Sequence, residues 1–330
     1  MRLIGFVSIL ALGACYDSHP FDGVLPPRDS GIDVGPRGDG GPRVDSGPRV
    51  DSGPRVDSGP RVDSGPVVDG GPGGDRCSGG ETFVWILGVI EPVGVSGRDI
   101  ADGFDLDDRI SSPSDPLGCF IDDLTSPDGT PGIDNQFAIL LPTLEGFTGP
   151  LFEEYFELFL SGAPTVAIEA RHVDDLRNDD CVDVLVHRVR YEGRGDPRFD
   201  MVNYSPGQLF RSFESFRFAE ATIQRRELSA RGGTYPFVIP IAGTTAVNRL
   251  RGARVRAQLA GDQLAEVMAG GSWDVDDAVE SLAGAGDIPR EVLRSTLESI
   301  ADLDVDAATG TCEGISVGLR HLTGVDGTLR

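Results

Sequence analysis

The chain has 330 residues and a formal net charge of −24, and it contains no lysine, so all 29 cationic side chains are arginines. That charge argues against nucleic acid and anionic headgroups as partners, because both would be repelled, and it suits cations, cationic ligands or solubility alone. A hydrophobic content of 39% over this length leaves room for one large or two small domains with real cores.

The N-terminus reads as an export signal. Met1-Arg2 is followed by an apolar run from Leu3 to Leu12 that ends in Leu12-Gly13-Ala14-Cys15. The run is far shorter than the ~20 residues a membrane-spanning helix needs. Leu-Gly-Ala-Cys resembles the lipobox of bacterial lipoproteins. The resemblance implies that residues 1–14 are removed and that Cys15 becomes the mature, lipidated N-terminus, with the bilayer as a partner through its acyl chains. Tyr16 stands where an aspartate retains many such proteins at the inner membrane, so the implied address is the outer membrane.

Residues 15–76 read as lipidated cysteine plus tether. Gly-Pro-Arg-Val-Asp-Ser repeats from Gly41, Gly47, Gly53 and Gly59, with degenerate copies at Gly35 and Gly65. One valine per repeat, beside a proline and a glycine, cannot bury enough surface to offset ordering entropy, so the segment is predicted to be disordered. As a flexible coil it would reach roughly 45 Å, and fully extended about 190 Å.

Residues 77–330 read as one globular, β-rich domain. Thr82–Val93 is β-branched and aromatic, hence a buried strand. Thr165–His172 and Cys181–Tyr191 form a hairpin around a polar loop. Ala253, Val255, Ala257 and Leu259 alternate with Arg254, Arg256 and Gln258 as a half-wet strand, which Gly261-Asp262 turns back toward Leu264–Ala269. Three helices are predicted. One carries Phe152, Tyr155, Phe156, Phe159 and Leu160 on one face, with Thr148 as a cap; a second opens at Asp287 and Pro289; a short third covers Asp276–Leu282. The expected class is α+β and β-dominated: an antiparallel sandwich or partly closed barrel with about three covering helices, preceded by the disordered tether.

Without Cys15, four cysteines remain: Cys77, Cys119, Cys181 and Cys312. An even number in an exported chain reads as two disulfides, with three connectivities open. No close cysteine pair or metal-spaced histidines support zinc.

Acidic loops carry the candidate chemistry. Asp302, Asp304, Asp306 and Glu313 fall at positions one, three, five and twelve of a loop similar to an EF-hand, a spacing that curls carboxylates around Ca2+. Ala307 replaces the turn glycine, and a strand-like segment follows Glu313, so this is not a standard EF-hand. Asp122–Gln136, with Asp128, Asp134 and Asn135, resembles thrombospondin type 3 calcium loops but lacks their Asp-x-Asp-x-Asp-Gly core. Asp102–Asp108, with Asp105 and Asp107, is read as a contributor to the same site. If Cys119 pairs with Cys312, two of these loops meet.

Enzyme signatures largely fail. Gly314-Ile-Ser316-Val-Gly318 fits a hydrolase string but sits inside an alternating strand. The domain resembles those that bacterial lipoproteins display on low-complexity tethers. Two functions follow: a non-enzymatic, disulfide-stabilised and calcium-binding surface module for an envelope, polysaccharide or protein ligand, or a secreted hydrolase using two carboxylates, such as a glycosidase.

Overall fold

The computed structural model describes residues 77–96, 99–148, 150–241, 244–283 and 289–330; Cys15, the lipobox, the tether and Asp287 lie outside the described residues. The apolar stretch predicted as one strand forms β1 (Glu81–Leu87) and β2 (Ile90–Pro92). Opposite them run β11 (Cys312–His321) and β12 (Gly324–Leu329). Leu87 pairs with Gly324 and Ile90 with His321, and the Gly88 N–H donates to the Thr323 carbonyl at 3.0 Å. The two strand pairs therefore keep a single antiparallel register across their breaks.

The strands β3 (Thr165–Val173), β4 (Asp183–Tyr191) and β5 (Gln208–Arg217) continue the sheet from β1. Pairing runs β1–β3–β4–β5–β12 and returns from β12 to β1, which closes a five-stranded barrel. All contacts around it are antiparallel except β5 with β12. Closure removes the open edges that a sheet of this size would otherwise expose.

The remaining strands are β6 (Glu220–Gln224), β7 (Glu227–Ile241), β8 (Thr244–Ala260), β9 (Gln263–Asp274) and β10 (Leu303–Val305). The antiparallel run β9–β8–β7–β6 extends the sheet, with β11 on the other side of β9 and β10 on β11. As its alternation predicts, β8 buries Ala253, Val255, Ala257 and Leu259 and leaves Arg256 and Gln258 wet. The strand β7 packs across β4 and β5, so one main core fills the space around Trp85, Phe237 and Trp273.

Among the described residues there are four helices, one more than expected: α1 (Gln136–Thr148), α2 (Leu151–Leu160), α3 (Val275–Leu282) and α4 (Arg290–Glu298). The extra helix is α1, whose continuous apolar run and internal Pro142 hide its period. Helix α2 begins after Pro150 and buries Leu151, Tyr155 and Phe159, whereas Phe152 and Leu160 stay exposed. No described helix is long and apolar enough to cross a membrane.

Two disulfides fix the ends of long loops. Cys77 joins Cys181 with Cα atoms 5.4 Å apart, and Cys119 joins Cys312 at 6.0 Å. The second pins the loop before Asp122 to the first residue of β11.

Candidate metal centre

A short hairpin, Leu124–Thr125 with Pro131–Ile133, delivers the chain to Asp134 at the entrance of α1. Gly132 makes the approach possible. Its φ is +85°, and a side chain there would press a Cβ to 2.9 Å from the Arg109 carbonyl. The loop that crosses it, residues 102–109, is fastened from two sides. The Asp134 N–H donates to the Phe104 carbonyl at 2.8 Å, and Arg254 on β8 donates to the Leu106 carbonyl at 3.1 Å and to Asp108 at 2.9 Å. Arg256 lies over the Phe104 ring, 5.5 Å from its centroid.

This packing brings Asp105, Asp107 and Asp134 together, with one carboxylate oxygen of each within 4.8 Å of the others. Asp134 Oδ2 accepts from the Leu106 N–H at 2.5 Å, and the carboxyl groups of Asp123 and Asp134 hydrogen-bond to each other. Asp134 is only 2% exposed. Burial, opposed by the Leu106 N–H and reinforced by Asp302, Asp123 and Asp107, pushes its carboxyl up to about 8. Burial also raises Asp107 and Asp123, each with a carboxylate neighbour adding to the effect. Burial and like charge both oppose the ionised form of Asp134, and a bound cation would supply the compensating charge. The cluster can therefore hold a metal ion, and its donors are all oxygens.

Behind the cluster a buried network locks α1 to β11. The Gln136 N–H donates to Ser316 Oγ at 2.7 Å, and Ser316 in turn donates from its hydroxyl to Asp302 Oδ2 at 2.5 Å and from its N–H to Oδ1 at 2.8 Å. Asn135 bridges the Asp102 carbonyl (2.8 Å) and the Gly318 N–H (2.9 Å). A Cβ on Gly318 would fall 2.6 Å from the Asn135 amide, so a side chain there would break the bridge. Burial raises Asp302 to about 7 against the pull of its Ser316 bonds. Ser316 is thus spent as the cap of α1, and its hydrolase-like string carries no nucleophile.

Of the residues singled out in the sequence, Asp134 stands in the cluster, and Asn135 and Asp302 brace it from behind. Asp107, Asp304 and Glu313 line one cleft of about 350 Å3, which joins the 102–108 and 302–313 segments, and the Cys119–Cys312 bond ties the chain three residues before Asp122 to the residue before Glu313. Asp304 accepts from the Ser272 hydroxyl. Asp306 closes its own turn, accepting from the Ala308 N–H and the Thr309 hydroxyl at 2.8 Å each. Asp128 likewise accepts from the Ser126 hydroxyl and, at 3.1 Å, the Thr130 N–H. Asp105 and Asp107, named in the sequence only as a supporting segment, turn out to supply two of the three clustered carboxylates.

No protein family, curated protein or solved structure matches the chain.

Proposed function

We propose that the protein is an exported lipoprotein, anchored at the outer membrane through Cys15 and the tether of residues 15–76, whose folded domain is a calcium-ordered binding module. The convergence of Asp105, Asp107 and Asp134 carries the metal part of this reading. Three carboxylates form an all-oxygen set, which suits a hard cation, and calcium accepts irregular oxygen cages that magnesium does not. The four described cysteines are engaged in disulfides, which accords with an oxidising compartment.

The sequence supports the anchor, through the lipobox spacing and the repeat that follows it. A reach of some tens of ångströms would hold the domain off the bilayer, where an envelope polysaccharide or protein is the expected partner. Calcium titration of the oxidised protein by calorimetry tests the metal reading. One saturable site is expected, lost in Asp134→Asn and in Asp105→Asn, with magnesium a weak competitor. Heat equal to buffer at millimolar calcium would refute it.

A further inference from the structure

A second polar constellation lies on the barrel, away from the acidic loops. On one face of three adjacent strands stand Glu169 of β3, His187 of β4, and Ser212 and Ser215 of β5. Glu169 is gripped by Arg171, whose Nε donates to Oε1 at 2.8 Å and whose Nη2 donates to Oε2 at 3.0 Å. His187 Nε2 lies 2.8 Å from Glu169 Oε2. That hydrogen bond above all, with Arg171 in support, holds the Glu169 carboxyl down at about 2, so it is ionised and can only accept. Its partner nitrogen, Nε2, therefore carries a proton, and in the neutral ring that leaves His187 Nδ1 as the acceptor.

The Ser215 hydroxyl is 2.8 Å from that Nδ1 and belongs to an exposed residue, directly paired with His187 in register. Ser212 Oγ is 3.0 Å from the same nitrogen and 3.3 Å from Ser215 Oγ, and it also reaches the Glu214 carbonyl at 3.5 Å. A bulge in β5 between Ser212 and Glu214 sets both hydroxyls beside one imidazole. The order is serine hydroxyl, imidazole with a fixed tautomer, clamped carboxylate. The two ends of the relay differ in access: the histidine is buried and the serine open to solvent.

We propose that Ser215, His187 and Glu169 form a serine-nucleophile relay that cleaves O-acyl esters, an activity that goes beyond the binding role above and does not depend on it. Ser215 Oγ bonds to the acyl carbon while its proton passes to His187 Nδ1, and Glu169 balances the imidazolium charge. Collapse of the adduct breaks the bond to the ester oxygen, which takes that proton and leaves as an alcohol. Water then attacks in the same way, releasing the carboxylic acid and returning the proton to Ser215. Esters fit because their carbonyls are less resonance-stabilised than those of amides and an alkoxide leaves more readily than an amine anion, so nucleophile and proton transfer carry them further. An exposed serine on an open strand face favours an acyl group carried on a polymer, which need not be enclosed.

The test uses the full chain with both disulfides, an alkyl fluorophosphonate probe and p-nitrophenyl acetate, in the presence of chelator and again with calcium. Labelling and ester turnover are expected in the wild type, and both fall at least a hundredfold in Ser215→Ala and His187→Ala. Glu169 is a positioning residue: Glu169→Gln is expected to lower kcat with KM unchanged, and Glu169→Asp to restore part of it. Circular dichroism confirms that each variant is folded. A folded wild type that neither labels nor turns over, or labelling that persists in Ser215→Ala, overturns the proposal. Loss of calcium binding alone would leave it standing.

Discussion

His321 is held between the Tyr235 hydroxyl, 2.7 Å from Nε2, and the Gly88 carbonyl, 2.9 Å from Nδ1, in a fully buried site. A carbonyl only accepts, so Nδ1 carries the proton and Nε2 receives the tyrosine O–H. Burial lowers the histidine from 6.5 to about 4 against the support of the Gly88 bond. A depressed histidine binds fewer protons folded than unfolded, so its contribution is complete above the unfolded value and is lost as pH falls from about 6.5 toward 4. Denaturant melts across that window are expected to lose roughly 3 kcal/mol from this residue, a loss that His321→Gln flattens. Tyr235→Phe leaves a buried acceptor unmade and should cost about 1–3 kcal/mol at neutral pH, read as a lower denaturant midpoint with an unchanged slope. Neither residue stands out in the sequence: a lone histidine near the C-terminus gives no sign of the tyrosine 86 positions away that completes its bonding.

At the scale of elements, local pattern was readable where polar and apolar residues alternate and obscure where a run is apolar on both faces. The alternation in β8 and the Gly261-Asp262 turn are plain in the residues, because every second side chain meets water. Helix α1 was hidden because its inner and outer faces are both apolar and Pro142 interrupts it. The acidic cluster was half visible. Asp-x-Asp spacing drew attention to 302–306, but there Asp306 is occupied by its own turn, while Asp105 and Asp107 gain Asp134 only through a loop crossing that sequence distance conceals. The two disulfides are expected to act differently. Replacing Cys77 and Cys181 by serine should cost about 2–5 kcal/mol of stability and leave calcium affinity unchanged. Replacing Cys119 and Cys312 should cost a similar amount and also weaken calcium binding, since Cys119 lies four residues before Asp123, which hydrogen-bonds Asp134. Melting and calorimetry on both pairs separate the two effects.

For the whole molecule, strand dominance followed from composition and periodicity, but closure of the barrel did not. Closure rests on β12, near the end of the chain, pairing with β1 at the start of the folded domain and in parallel with β5, and no local pattern encodes such partners. The same late strands carry the bracing of the acidic site, because Ser316 and Gly318 of β11 hold Asn135 and Gln136 at the mouth of α1. A metal bound at the acidic cluster would therefore be linked to global stability, since a ligand bound only by the folded state raises the melting temperature by mass action. Thermal melting of the oxidised protein, in excess calcium and then in chelator, reads this directly. At about 100-fold saturation the gain is about 2.7 kcal/mol, a rise of several degrees, abolished by Asp134→Asn and retained in Asp306→Asn. An identical melting temperature with and without calcium would contradict the account.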